Sequence, residues 1–234
     1  NGANIWFAML ILAPLVVGIV GVIVERVVIR WLYGRMVDTL LATWGLSLLI
    51  IGLVTSIFGA STSTTISPPL GVVKIGEYSS SGYELFLIGV AAVALIIVYM
   101  LLKMTRLGLV ARGTMQNSEM AAALGISTSR IYMLSFGIGA AVSGLAGGLL
   151  APLTGVLPTI GATYIAKAFI TVISGGAAIL AGTTSASVLL GGVNGIFAFV
   201  TGPTIGEVAL LITAIVLLRL MPRGITGSFF RKSL

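Results

Sequence analysis

Long apolar runs recur along the whole chain, and they constrain its fold more than any other feature. The first, from Ile5 to Val24, has 20 residues and no charge. That length crosses a bilayer core of about 30 Å at about 1.5 Å per helical residue. The chain is 58% hydrophobic and 8% charged, whereas a soluble domain has roughly 25% charged residues. The sequence therefore predicts an all-α integral membrane protein, a polytopic helical bundle that forms one domain over residues 1–234.

Six further apolar runs bring the prediction to seven membrane spans. They run from Leu40 to Phe58, Tyr83 to Leu102, Tyr132 to Leu150, Ile165 to about Ser174, Thr184 to Val200, and Glu207 to about Met221. The fifth span is short for a full crossing, because Gly175 and Gly176 interrupt it. Two loops between spans are rich in turn residues: residues 59–82 contain many Ser, Thr, Gly and Pro, and Pro152 to Tyr164 contains two prolines. This composition favours turns over regular elements.

Small residues mark the helices that we expect to pack against other helices. The fourth span is rich in Gly, Ala and Ser, and the first contains Gly18 and Gly21. Because lipid tails are as apolar as Leu, membrane helices associate through close backbone contact. We therefore expect the fourth span to face protein. For Gly18 and Gly21 a helix contact and the general abundance of Gly in membrane helices are equally acceptable interpretations.

The cations indicate the orientation of the chain in the membrane. Three segments, Glu25 to Asp38, Lys103 to Ile131 and Arg219 to Leu234, hold eleven of the 13 Lys and Arg residues. Short loops rich in Lys and Arg stay in the cytoplasm, so we place these segments and the C-terminus there. Since the charge is confined to such loops, the net charge of +7 does not indicate a nucleic-acid partner. Seven crossings then start outside, which predicts a further N-terminal part before Asn1.

The sequence also excludes several kinds of chemistry. It contains no cysteine and no histidine, which removes thiol nucleophiles, histidine relays and the usual zinc or haem ligands. The six acids all fall in predicted loops or at helix ends: Glu25, Asp38, Glu77, Glu84, Glu119 and Glu207. There is no glycine-lysine phosphate loop for ATP. We therefore expect a transport subunit without a catalytic site, metal or cofactor, driven by another subunit if transport is active.

The segment from Lys103 to Ile131 is the longest polar stretch, and it contains a compact helix signal. Asn117 or Ser118 can cap the first turn, Glu119 suits the positive end of the helix dipole, and Gly125 suits the position after the helix end. Between them lie the helix formers Met120, Ala121, Ala122, Ala123 and Leu124. We expect a short helix whose alanine face, Ala121 to Ala123, lets another surface approach closely.

Several stretches resemble a known family. Asn117 to Pro152 (NSEMAAALGISTSRIYMLSFGIGAAVSGLAGGLLAP) is similar to the coupling loop and following helix of permease subunits of branched-chain amino acid ABC importers. Pro158 to Gly176 and the MPRG sequence from Met221 to Gly224 are similar to the same family, so the resemblance covers nearly the whole chain. Glu25 to Ile50 resembles the branch that transports urea and short-chain amides. Lys167-Ala-Phe, in contrast, resembles the amino acid branch.

The resemblance implies an ATP-driven importer of a bacterial inner membrane, for urea or short-chain amides, with branched-chain amino acids as the alternative. It implies a second homologous permease subunit, two ABC ATPase subunits and a periplasmic substrate-binding protein, besides the surrounding membrane lipid. It also implies that Ser118 to Leu124 is the coupling helix. The residues expected to meet the ATPase are Ser118, Glu119, Met120, Ala121, Ala122, Ala123, Leu124 and Gly125.

For the substrate path we predict the polar groups that lie at a suitable depth: Thr43, Ser47, Ser143 and Asn194. A neutral solute needs hydrogen-bond partners without fixed charge. The hydroxyls of Thr43 and Ser47 can instead bond to their own helix backbone, and Asn194 can instead join two helices. Lys167 either extends to the interface or is a buried functional charge. A passive channel, a secondary carrier and a structural subunit remain competing classes for the whole chain.

Overall fold

Helices account for most of the described residues in the structure, a computed structural model that describes residues 2–59, 71–75, 78–176, 179–221 and 224–225. The chain divides into two units, Asn1–Pro158 and Thr159–Leu234. Whether they act as one domain stays a prediction. The first unit contains the helices α1 (Gly2–Phe7), α2 (Ala13–Val27), α3 (Met36–Phe58), α4 (Gly82–Met104), α5 (Arg106–Gln116), α6 (Ser118–Ala123) and α7 (Thr128–Thr154). The second contains α8 (Ile160–Gly175), α9 (Ile179–Thr201) and α10 (Pro203–Leu220).

The helices confirm a polytopic all-α membrane protein. Within the described residues, six helical stretches are long and apolar enough to cross a membrane: Ile5–Trp31, Val37–Phe58, Gly82–Met104, Thr128–Thr154, Leu180–Thr201 and Pro203–Leu220. In the first of them, a π-helical segment, Ala8–Leu12, joins α1 to α2, and a 3-10 turn, Ile29–Trp31, ends the stretch. The expected fifth span is α8, whose 16 residues extend about 24 Å at the helical rise. It is the short apolar helix that the two glycines after Ser174 predict.

Two loop predictions were wrong. Residues 59–82 were expected to form turns, but β1 (Val72–Ile75) and β2 (Tyr78–Ser81) pair antiparallel, with Val72 opposite Ser81. Val and Ile favour extended backbone, and this signal outweighed the Ser, Gly and Pro around it. Residues 60–70 and 76–77 lie outside the described part.

The loop predicted from Pro152 to Tyr164 is also shorter than expected. Helix α7 continues to Thr154 and α8 begins at Ile160. Pro152 lies in the last turn of α7, where a missing N–H removes a single helical hydrogen bond. Gly155, with φ of 72°, ends the helix instead.

The central contact of the first unit joins α2 and α7 through glycines on both helices. A Cβ atom added at Gly144 would lie 2.6 Å from the Val17 Cβ and 2.9 Å from the Ala13 carbonyl oxygen. One added at Gly137 would lie 2.6 Å from the Val22 Cγ2. On α2, Gly18 and Gly21 face Ala141 and Ala140 in the same way. The expected packing of the fourth span against protein is therefore confirmed on this face, and Gly18 and Gly21 belong to it.

A buried tyrosine at the start of α4 connects that helix to α7. Tyr83, the second residue of α4, is fully buried and donates a hydrogen bond of 2.7 Å to the Leu149 carbonyl oxygen of α7. The Trp6 ring of α1 lies edge-on to Phe86, with 4.8 Å between ring centroids, and tilted to Tyr83 at 6.4 Å. These contacts connect α1, α4 and α7.

The second unit packs α9 against α8 and α10. Leu190, Leu210 and Ala214 form its buried cluster, with Ile170 of α8 against it. Gly224 has φ of +77°, and a Cβ atom there would collide with the Gly176 backbone. Gly224, the last residue of the MPRG sequence, thus lies directly against the end of α8.

We predict that Gly144→Ala destabilises the protein, because the new methyl group meets Val17 and the Ala13 backbone. The expected cost is about 1–3 kcal/mol, measured as a lower melting temperature in detergent. Gly147→Ala is the matched control, since a Cβ atom there meets nothing within 4 Å. Equal melting temperatures for the two variants would contradict the α2–α7 contact.

Candidate functional site

The polar segment after α4 folds back through a capped turn. The Thr105 Oγ1 accepts a hydrogen bond of 3.2 Å from the Gly108 N–H at the start of α5. A side chain at Gly108 would collide with the Leu102 carbonyl group, so only glycine allows α5 to lie this close to the end of α4. Ala111 and Thr114 complete the buried face of α5. This packing fixes the position of α5 and so sets the direction in which α6 projects after it.

Helix α6 has well-defined caps at both ends. The Asn117 Oδ1 accepts a hydrogen bond of 2.9 Å from the Met120 N–H. At the other end, Gly125 has φ of 82°, and its N–H donates to the Ala122 oxygen at 2.9 Å. The Ile126 N–H donates to the Ala121 oxygen at 3.0 Å. This pair of bonds is the Schellman ending of a helix. The expected helix is present, with Asn117 as its cap and its end at Ala123.

The exposed face of α6 differs from the prediction. Ala121 is 5% exposed and turns towards the body of the protein, whereas Ala122 and Ala123 are exposed. Three consecutive residues cannot share one face, because each is rotated by about 100° from the last. The apolar side chains that protrude are Met120, 60% exposed, and Leu124, 75% exposed.

The remaining expected coupling residues, Ser118, Glu119 and Gly125, are exposed as well. The spacing of Met120 and Leu124 by four residues was a readable signal, although the sequence interpretation gave the docking role to the alanines. A contact between this surface and an ATPase stays a prediction.

The predicted path residues lie on three helices, with Thr43, Ser47 and Ser143 in the first unit and Asn194 in the second. The Thr43 hydroxyl donates a hydrogen bond of 3.0 Å to the Leu40 carbonyl oxygen of its own helix. This is the alternative to a path role that the sequence analysis gave for Thr43. Ser47 is half-buried on α3, and Ser143 is exposed on α7. Asn194 belongs to the second unit, where its amide oxygen would lie 2.8 Å from a Cβ atom added at Gly206. Asn194 therefore packs against α10, and a path role for these four residues stays a prediction.

Lys167 has a partner that sequence reasoning missed. Its Nζ lies 2.7 Å from the Glu207 Oε1, which joins α8 to the start of α10. The ammonium group also lies 5.8 Å from the centre of the Tyr164 ring. The side chains are 36% and 58% exposed, so the pair contributes little to stability by itself. The two residues are 40 positions apart, and no local pattern connects them.

A second acid anchors the segment between α2 and α3. Glu25 is 1% exposed, and the Tyr33 hydroxyl donates to its Oε1 at 2.9 Å. The Tyr33 ring lies 4.7 Å from the Tyr132 ring near the start of α7. Burial, together with the hydrogen bond to Glu25 and its negative charge, raises the pKa of Tyr33. Tyr33 therefore keeps its proton, and its hydrogen bond to Glu25, to a higher pH than a free tyrosine would. Among the described residues, no group of three or more acids, histidines or cysteines is arranged to hold a metal.

Comparison with known proteins decides the family. Residues 1–221 match the family model described as the permease component of the branched-chain amino acid transport system. The chain belongs to this family. The family resemblance in the sequence is thus confirmed, while its narrower assignment to the urea branch is not.

The chain is also similar to individual members of this family. The probable branched-chain amino acid transport permease protein LivH of Methanocaldococcus jannaschii is 30% identical over 166 residues, 67% of this chain and 53% of that protein. The high-affinity branched-chain amino acid transport system permease proteins LivH of Salmonella typhimurium and Escherichia coli are each 31% identical over 139 residues, 59% of this chain and 45% of theirs. The chain spans about half the length of these relatives. No solved structure matches it significantly.

We predict that Asn117→Ala and Gly125→Ala loosen α6. The first removes the cap, at a cost of about 1 kcal/mol, and the second forces a side chain into a left-handed conformation. Hydrogen exchange in nanodiscs should then be about fivefold faster at residues 120–124 for each variant. Gly113→Ala on α5 is the control, because a Cβ atom there meets nothing within 4 Å. Unchanged exchange in both variants would show that the caps do not hold the helix.

Proposed function

We propose that this chain is a permease subunit of an ATP-driven ABC importer for branched-chain amino acids in a bacterial inner membrane. The observation that carries the proposal is the family match over residues 1–221. The relatives of 30% and 31% identity are named as branched-chain amino acid permeases. The urea assignment depended mainly on the resemblance of Glu25 to Ile50. Because the named relatives are amino acid permeases, urea becomes the competing substrate hypothesis.

The proposed assembly contains a second homologous permease subunit, two ATPase subunits and a periplasmic substrate-binding protein. The segments rich in cations, including the one with α6, and the C-terminus lie in the cytoplasm. Their Lys and Arg content supports this placement. The chain itself supplies no ATP site, since it lacks a phosphate-binding loop. Its role is to form the path and to receive force.

Helix α6 is the element suited to receive that force. Met120 and Leu124 protrude, and an apolar pair four residues apart can enter a groove on a partner. On the opposite side, Ala121 is buried, and the two caps hold the helix ends. A push on α6 is therefore transmitted to the neighbouring α5 and α7. Closure of the ATPase dimer would tilt these helices and change the side to which the path opens.

A passive channel or a secondary carrier is the competing class. Either would fit a membrane interior with few charges. Neither needs a cytoplasmic docking surface, which the apolar pair on α6 would supply.

The substrate prediction is tested with radiolabelled leucine and urea in proteoliposomes that contain the complete assembly. We expect ATP-dependent, vanadate-sensitive uptake of leucine and only background uptake of urea. Accumulation of urea without leucine would restore the urea assignment. Uptake of either solute without ATP would favour a channel or a carrier and contradict the proposal.

The coupling prediction concerns the exposed face of α6. The double variant Met120→Glu, Leu124→Glu should abolish leucine uptake and transport-stimulated ATP hydrolysis. Docking would bury two charges in an apolar groove, which is unfavourable without partners for them. We expect the same from Gly125→Val, which strains the helix end. Met120→Leu, Leu124→Met is the matched control that keeps the surface apolar, and it should retain uptake. Membrane levels are compared by immunoblot. Normal uptake by the charged variant would remove α6 from the mechanism.

A further inference from the structure

An apolar groove of about 290 Å³ lies between α4, α5 and α7. Leu102 near the end of α4, Ala111 on α5 and Ile131 near the start of α7 are among its lining residues. Ser135 is the one polar side chain in the lining, and Gly139 lies deeper along α7. The groove therefore begins where two candidate spans meet the polar segment, at the level expected for a membrane surface.

Four exposed cations lie near the polar end of this groove, in or beside the segment between α4 and α7. Each of the four cations in the polar segment is the chain neighbour of a residue that lines the groove. The neighbouring pairs are Lys103 with Leu102, Arg106 with Leu107, Arg112 with Ala111, and Arg130 with Ile131. All four cationic residues are exposed. Because neighbours in a helix are rotated by about 100°, the cations do not line the groove, but their backbones lie beside its polar end.

These charges are not neutralised by carboxylates of the described chain. The two ion pairs found there are Arg35 with Asp38 and Lys167 with Glu207. Glu119 is the one acid between residues 103 and 131, and it pairs with none of the four cations. The Lys103 Nζ lies 2.8 Å from the Tyr99 hydroxyl and 5.1 Å from the centre of that ring. These contacts position the ammonium group and leave its charge uncompensated.

We propose that the groove binds an anionic phospholipid, with an acyl chain against α4 and α7 and the phosphate facing Lys103, Arg106, Arg112 and Arg130. Hydrocarbon matches the lining, and each basic residue near a membrane surface attracts anionic lipid. An apolar helix would fill the groove but would not use the surrounding charge. Zwitterionic lipid would fill it with a weaker attraction. The combination of the two features therefore favours an anionic lipid.

The position of the groove gives this lipid a structural consequence. Gly108 and Ala111 of α5 are lining residues, and α5 leads through Asn117 directly into α6. A bound lipid would fill the space between α5 and the two membrane helices beside it. It would thereby restrain α5, and with it the direction in which α6 projects. This inference does not depend on the substrate or on the ATPase.

The test is native mass spectrometry of the full-length protein, purified with any subunits that accompany it. Phosphatidylglycerol and phosphatidylcholine with identical acyl chains are titrated separately. We expect phosphatidylglycerol to bind more tightly to the wild type. Lys103→Gln with Arg106→Gln should weaken the binding of phosphatidylglycerol about fivefold for each cation removed. The binding of phosphatidylcholine should be unchanged. Arg26→Gln with Arg30→Gln, in a cationic segment that contributes no lining residue, is the matched control and should have no effect.

A second variant tests the groove itself. A Cβ atom at Gly139 meets nothing within 4 Å, so Gly139→Phe fills the groove without displacing neighbours, and it should reduce the binding of both lipids. Gly147→Phe lies on the same helix with equally open space but outside the lining, and it should bind lipid normally. Equal affinity for the two lipids in the wild type would overturn the proposal. So would unchanged binding in Gly139→Phe, or a dimer of the chain that this substitution dissociates.

Discussion

The lack of hydrogen-bonding solvent in a bilayer is the constraint on which this structure depends. Backbone groups in hydrocarbon must bond within their own segment, which selects helices. Since apolar side chains gain nothing by leaving lipid for another helix, the helices join where backbones approach closely. Gly21 on α2 and Gly137 and Gly144 on α7 provide this approach, and the Tyr83 hydroxyl adds a directed bond to α7. Helix α7 is therefore the fixed element of the first unit.

The polar segment is built onto this fixed element. Gly108 brings α5 against the end of α4, and Tyr33, bonded to the buried Glu25, packs against Tyr132 at the start of α7. Helix α6 lies between α5 and α7 and is held by its own caps. Its buried Ala121 and protruding Met120 and Leu124 give it one inner and one outer side. In the proposed assembly the outer side, with Met120 and Leu124, would meet the ATPase.

The sequence predicted well those features that depend on residues close together in the chain. Uninterrupted apolar runs predicted the spans, and Asn117 and Gly125 predicted α6, because caps act within a few residues. Features that depend on distant residues were missed. The pairing of Lys167 with Glu207 joins two helices across 40 positions, and the inward side of α6 was set by packing. The hairpin before α4 was missed because β-branched residues competed with turn formers. The bond of Thr43 to its own helix, in contrast, is local and was one of the two interpretations of the sequence.

The central claim, that an ATPase on the cytoplasmic side grips α6, is tested most directly by thiol accessibility at Ala122→Cys. The chain has no native cysteine, so a single exposed thiol reports its own surroundings. In right-side-out membrane vesicles the account predicts no labelling by an impermeant maleimide. In inside-out vesicles it predicts labelling that decreases when the ATPase subunits are present. Labelling from the outside, or labelling that ignores the ATPase, would contradict it.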